Sequence, residues 1–234
     1  LDDCSFEVAP GEIVAVVGST GAGKSTLASL LPRLLDAEEG RVLVGSPEAG
    51  WQDVRTLRLD ALRHRVHVVP QESFLFSDTL EANLRVSRPQ ASHVELLDAL
   101  EQAGAGEVLE RLEHGLQTRL GDRGVTLSGG QRQRIGLARA LYADPAIFVL
   151  DEPNSNLDNE GSAALNLAIR TIKARGGAVI IMAHRPAAIA ECELLLVMEQ
   201  GMRRAFGPRD EVLRSTVRNA ETINRARGAG GGVT

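Results

Sequence analysis

Ile13-Val14-Ala15-Val16-Val17-Gly18-Ser19-Thr20-Gly21-Ala22-Gly23-Lys24-Ser25 joins an unbroken apolar run to a glycine-rich octapeptide of the form G-x-x-x-x-G-K-[ST]. The apolar run reads as a strand, and a helical pattern begins near Lys24. Strand, glycine-rich turn and helix in that order make a phosphate cradle. The glycines let the backbone curl so that successive N–H groups and the helix N-terminus face an anion. Lys24 is expected to neutralise the β- and γ-phosphates of a nucleoside triphosphate, and the Ser25 hydroxyl to ligate Mg²⁺ held between them. The expected nucleotide-binding set is Gly18, Ser19, Thr20, Gly21, Ala22, Gly23, Lys24, Ser25 and Thr26. An ordinary glycine-rich turn is the competing reading, and the flanking strand and helix disfavour it.

Outward from this stretch, further short β-rich runs fall at residues 66–69, 147–150, 179–182 and 194–198, separated by segments of helical period. That alternation predicts an α/β chain with a mostly parallel sheet covered on both faces. Between about Glu72 and Tyr142 no buried-strand run appears. There Leu96, Leu97, Leu100 and Ala103, and then Val108, Leu109 and Leu112, recur at helical spacing, which predicts an inserted helical lobe. Gly45-Ser46-Pro47-Glu48-Ala49-Gly50 is dense in turn formers and predicts a surface loop closing a hairpin begun at residues 41–44. The expected organisation is one domain over 1–215, with a core from 1–71 and 141–215, a helical lobe over 72–140, and a flexible glycine-rich tail over 216–234.

Composition bounds the function. The 234 residues are 43% hydrophobic and 24% charged, so the chain should fold around a sizeable core. Lysine plus arginine total 26 against 31 acids, a balance of −5 without a basic block, which disfavours a nucleic-acid reader. The longest apolar runs, at 178–183 and 194–198, fall far short of the roughly 20 residues that cross a bilayer. Cys4 and Cys192 form no close pair, and no histidine stands at metal-ligand spacing. Both read as small buried hydrophobes in a reducing cytosol. Leu1-Asp2-Asp3 has no signal-peptide character and no initiating methionine, and reads as the start of a segment cut from a longer chain.

A phosphate cradle alone does not choose a reaction. The apolar run at 147–150 ends in Asp151-Glu152, and two carboxylates at the end of a buried strand call for a cation. Asp151 is expected to help hold Mg²⁺, and Glu152 to orient and deprotonate an attacking water. Alone, the pair would read as a solvated turn.

Leu127-Ser128-Gly129-Gly130-Gln131-Arg132-Gln133-Arg134 resembles the signature motif of ATP-binding cassette (ABC) ATPases. Ser128-Gly129-Gly130 opens the helix expected from Gln131 to Tyr142, so it offers a hydroxyl, bare amides and a positive helix end to an anion. The resemblance implies a RecA-like α/β core and two nucleotide domains paired head to tail. ATP would lie between the P-loop of one domain and Leu127, Ser128, Gly129, Gly130 and Gln131 of the other. It further implies that Gln71 contacts Mg²⁺ and water and links the nucleotide to a transport domain. His184 would contact the γ-phosphate, and Asp158, in the D-loop Asn156-Leu157-Asp158, would cross the dimer interface. Asn154 and Asn156 depart from the commoner Thr and Ala.

Phe74-Leu75-Phe76-Ser77-Asp78-Thr79-Leu80-Glu81-Ala82-Asn83-Leu84 resembles the segment found in ABC exporters, as does Thr118-Arg119-Leu120-Gly121-Asp122-Arg123-Gly124, where Asp122 replaces a usual Glu. Asp151-Glu152-Pro153-Asn154-Ser155-Asn156-Leu157-Asp158 and Ala183-His184-Arg185-Pro186 are similar to type I protein-secretion ATPases. The implied partners are a second nucleotide-binding domain and a transmembrane domain, fused or separate, at the cytoplasmic face of a membrane, with ATP and Mg²⁺ as cofactors. The family's adenine-stacking aromatic lies upstream of the P-loop. Phe6, Trp51 and Tyr142 read instead as packing residues, so the chain is expected to bind ATP weakly, lacking a contact worth roughly 1–3 kcal/mol. The loop around Ser46 and Trp51 is longer than the exporter pattern. Two alternatives stay open: a soluble ABC ATPase acting on DNA or ribosomes, disfavoured by the absence of a long coiled coil or a second cassette, and a nucleotide-sensing module without hydrolysis.

Overall fold

Alternate residues of strand β1 (Ile13–Val17) enter two different apolar clusters: Ile13 and Ala15 one, Val14 and Val16 the other. The same division holds for β6 (Ala178–Ala183), where Val179 and Ile181 face one cluster and Ile180 and Met182 the other. A strand buried on both faces is what a run with no polar alternation demands. In the computed structural model, which describes residues 1–47, 49–121, 124–142, 145–155, 157–183 and 191–216, these strands form the centre of a sheet. The remaining strands are β4 (Val66–Val69), β5 (Ile147–Asp151), β7 (Leu194–Glu199) and β8 (Met202–Pro208). Among the described residues the order is β4-β5-β6-β1-β7-β8, parallel throughout except for β8, which returns antiparallel to β7. The expected α/β class and all five expected strands are present. Of the expected tail, residues 217–234 lie outside the described residues.

One face of the sheet carries α1 (Lys24–Leu30) and α2 (Leu59–Arg65), which contribute Leu27, Ala28 and Leu62. The other carries α3 (Leu80–Arg85), α4 (His93–Gln102), α5 (Gly106–Glu110), α6 (Gly129–Leu141) and α7 (Asn159–Ala174). On that side Leu84, Leu96, Leu100 and Val108 join Leu150, Val179 and Ile181 in a single apolar cluster. The helical segment therefore packs without a core of its own. At about 1.5–3 kcal/mol per fully buried large side chain, this shared cluster ties it to the sheet. Asn83, fully buried, fixes the segment leading into it. Its Oδ1 accepts from the Phe76 N–H at 2.7 Å, and its Nδ2 donates to the carbonyls of Phe76 and Thr79 at 3.0 Å each.

The expected hairpin consists of β2 (Leu43–Ser46) and β3 (Gly50–Asp53). Trp51, expected to pack, is 42% exposed. A two-stranded ribbon buries one face, here the face of Val44. Trp51 shares the outer face with Leu43 and stands opposite Gly45, which has no side chain to pack against. Phe6 and Tyr142 do pack: Phe6 against Phe206 at 5.7 Å between ring centroids, and buried Tyr142 beneath the Arg88 guanidinium. Cys192 is buried and Cys4 half-buried, and burial pushes both thiols up.

His67 on β4 stands opposite Phe148, and its Nε2 is buried with no hydrogen-bond partner among the described residues. Burial, followed by the charge of nearby His64, holds its pKa below the ordinary 6.5. The unfolded chain therefore takes up a proton that the folded chain refuses, and stability drops as pH falls through about 6.5. Thermal melts across about pH 5 to 7 should show a shallower acid loss for His67→Leu than for the parent.

Candidate active site

Because β4, β5, β6 and β1 run parallel, their C-terminal ends lie along one edge of the sheet, where open α/β sheets place their ligands. That edge receives the glycine-rich loop after β1, Gln71 after β4 and Pro70, and Asp151-Glu152 at the end of β5. The register is close: Val17 pairs with Ala183, and Asp151 with Met182, across the intervening β6.

The loop from Gly18 to Gly23 is shaped by its neighbours. A Cβ on Gly18 would lie 2.4 Å from the Met198 carbonyl oxygen, so the loop rests directly on β7. Gly23, at φ +100°, turns the chain into α1 through the left-handed region that glycine tolerates. The Gly201 N–H donates to the Ala22 carbonyl at 3.1 Å, which braces the loop from the β7–β8 turn. Lys24 is only 6% exposed, and its Nζ donates to the carbonyls of Gly18 at 2.7 Å and Ser19 at 3.1 Å. Burial lowers its pKa, and the carboxylates of Glu152 and Asp151 act in the opposite direction. A buried ammonium within the field of two carboxylates is a charge arrangement made for a polyanion and its counter-cation.

Gln71 and Glu152 meet: Nε2 donates to Oε2 at 3.3 Å. Glu152 itself sits at φ +48°, a left-handed conformation that a side chain rarely adopts and that carries a cost of order 1–3 kcal/mol. Its N–H donates to the Met182 carbonyl at 3.0 Å, and its carbonyl accepts from the Ser155 N–H at 3.1 Å, so the strained turn is held from β6 and from within.

The Leu127–Gln131 stretch stands at the start of α6, two residues earlier than expected. Ser128 is the cap: its Oγ accepts from the Gln131 N–H, and the Gln131 side chain accepts from the Ser128 N–H at 2.9 Å. Asp158 caps α7, accepting from the Gly161 N–H at 2.8 Å, and pairs with Arg134 of α6. The structure thus brings Lys24, Asp151, Glu152 and Gln71 into one electrostatic group, with the signature and Asp158 joined through α6. His184, Asp122 and Asn156 lie outside the described residues.

Sequence reading passed over two α6 residues. A Cβ on Gly136 would lie 2.2 Å from Ser73 Oγ, so the segment after Gln71 seats directly on that helix. Gln133 is buried and donates to the Pro153 carbonyl at 2.6 Å. The available signal was a polar residue on the face shared with Leu137 and Ala140.

A phosphate cradle on a central parallel sheet, with paired carboxylates at the end of a nearby strand, defines a P-loop nucleoside triphosphatase. The sequence profile described as "ABC transporter" matches residues 1–155, and the chain belongs to the ABC transporter family as its ATP-binding, ATPase domain. It is 42% identical over 219 residues to the type I secretion system ATP-binding protein PrsD of Rhizobium meliloti, a match covering 93% of this chain and 37% of that protein. It is 39% identical over 201 residues to ATP-dependent lipid A-core flippase 1 of Colwellia psychrerythraea, covering 86% of this chain and 32% of the flippase. The structure of a bacterial Atm1-family ABC exporter with ATP bound superposes with a TM-score of 0.84 at 37% identity, over 95% of this chain and 38% of the exporter chain. The chain therefore spans well under half the length of each of these proteins.

Lys24→Met removes the buried cation while keeping its apolar stem. Titration with ATP by calorimetry should show binding weakened roughly tenfold to a hundredfold, the equivalent of losing a charged hydrogen bond worth about 1.5–3 kcal/mol.

Proposed function

We propose that this chain is the ATP-hydrolysing part of an exporter and that it closes head to tail with a second nucleotide-binding domain to drive a substrate across a membrane. The observation that carries the reading is the Gln71–Glu152 contact beside the buried Lys24, which sets a water-orienting amide, a base and a phosphate-binding cation together. Lys24 and the amides of Gly18, Ser19, Thr20, Gly21, Ala22, Gly23, Ser25 and Thr26 hold the phosphates. Glu152 accepts the proton of the attacking water while Gln71 Nε2 fixes the carboxylate. His184 is assigned the γ-phosphate contact by family resemblance.

Ser25, Asp151 and Gln71 present a hydroxyl, a carboxylate and an amide oxygen, the hard donors that suit Mg²⁺, and Gln71 keeps that oxygen available because its Nε2 is committed to Glu152. Bound there, the ion would neutralise charge developing on the phosphates. Leu127, Ser128, Gly129, Gly130 and Gln131 serve the second domain's nucleotide, and Asp158 lies toward the same interface. The organisation that accompanies this reading is a domain over 1–215, with a helical lobe over 72–140, and a tail over 216–234.

The membrane partner is supported by a cleft of about 570 Å³ lined by Gln71, Phe74, Leu120, Val125, Leu127 and Arg132. Phe74, which lines it, stacks edge to face on Phe76 at 5.3 Å while the two remain 68% and 46% exposed, an apolar pair suited to cover by another protein. No helix among the described residues is long and apolar enough to cross a membrane, so the spanning part would be another segment or subunit. In this reading the chain works at the cytoplasmic face of the membrane that its partner spans. The back-half residues Asn154 and Asn156, together with the similarity to PrsD, favour a secreted protein as the cargo.

Glu152→Gln should leave ATP binding intact, lower turnover by about 10²–10⁴-fold, and trap a dimer visible by size-exclusion chromatography with ATP and Mg²⁺. Full turnover in that variant would overturn the role of Glu152, and a monomer at every concentration would overturn the head-to-tail closure.

A further inference from the structure

Helix α6 holds a buried amide that the reaction above leaves unused. Gln133 is 3% exposed, and its Nε2 donates to the Pro153 carbonyl at 2.6 Å, a fully buried hydrogen bond between residues 20 apart in sequence. Its Oε1 is buried as well, with no hydrogen-bond partner among the described residues. An orphaned carbonyl oxygen in a core is unfavourable, so the buried amide carries a cost that its one hydrogen bond must offset. What the amide adds is the bond to Pro153.

Pro153 directly follows Glu152, whose left-handed backbone at φ +48° persists only if the surroundings hold it. From the β6 side the Glu152 N–H is tied to Met182. Pro153 has no N–H of its own, so its carbonyl is the handle by which that residue can be held, and Gln133 takes it from the opposite side. We infer that Gln133 is a positioning residue: it clamps the Glu152-Pro153 turn from α6 and so fixes the carboxylate where Gln71 meets it. The clamp rests on the reading of Glu152 as the base. It acts within one chain, although the same helix presents its first turn, at Ser128, to the partner's nucleotide.

Gln133→Met keeps the length of the side chain and removes the donor. In the 234-residue chain, kcat for ATP should fall roughly 10- to 100-fold, the scale of a small misplacement of a reacting group, while KM for ATP and ATP-driven dimer formation hold and the thermal midpoint drops by only several degrees, the effect of leaving the Pro153 carbonyl without a donor. An unchanged kcat overturns the clamp, and so does a loss that comes with unfolding at the assay temperature or with lost dimerisation. Gln133→Glu gives a second readout. Its carboxylate faces the Pro153 carbonyl without a proton, and acid restores a donor, so the ratio of its kcat to the parent's should rise as pH is lowered from about 8 to about 6. A ratio that stays flat overturns the proposal.

Mixed dimers of differently tagged chains separate the clamp from a defect of the signature. One chain carries Glu152→Gln, and Gln133→Met is placed either in that chain or in its partner. Loss is expected only when Gln133→Met accompanies the intact Glu152; equal loss in both arrangements overturns the proposal. Failure of Glu152→Gln alone to suppress turnover would instead overturn the assignment of the base.

Discussion

Strand β6 lies hydrogen-bonded between β1 and β5, and the charge balance of the site depends on that neighbour relation. Parallel pairing on both sides brings Val17 and Asp151 to the level of Ala183 and Met182, so the loop after β1 and the carboxylates after β5 open at one height. Lys24 is buried there, where an isolated ammonium would be costly, and the fields of Glu152 and Asp151 act to keep it charged. The arrangement waits on a sheet whose central strands are sealed by apolar packing on two sides.

Helix α6 is the second organising element. Its start is the capped Ser128 turn, its middle receives Ser73 against Gly136 and grips Pro153 through Gln133, and Arg134 reaches the Asp158 cap of α7. Because the helical segment and the sheet share one apolar cluster, a displacement of α6 is felt by the segment after Gln71, by the Glu152 turn and by α7 together. A rigid rod touching all three is a physical means of keeping a site in step with the surface that carries Phe74 and Phe76. The packed interior offers a few discrete arrangements and little continuous give.

Short apolar runs such as Ile13–Val17 and residues 147–150 were legible as strands because burial on both faces leaves no polar alternation, and the glycines of the phosphate loop were legible because only they tolerate its backbone. Trp51 was not. Whether a ribbon's outer face is covered depends on elements distant in sequence, and nothing in the residues around it says that Gly45 will stand opposite. Gln133 was partly legible as a polar residue on an apolar helical face, but its acceptor belongs to a turn after another strand. The left-handed φ of Glu152 left no trace in the sequence at all, since a glutamate there is read as extended or helical by default.

The sequence by itself therefore determined the class of fold, the phosphate loop, the carboxylate pair and the capped signature helix, because each is written in a local pattern of spacing, glycine placement or capping. Tertiary structure alone decided the strand order that faces Lys24 with Asp151 and Glu152, the contact between Gln71 and Glu152, and the grip of α6 on the Pro153 turn. Those relations join residues tens of positions apart, and they are set by which buried surfaces fit together, a property of the packed chain that no local pattern carries.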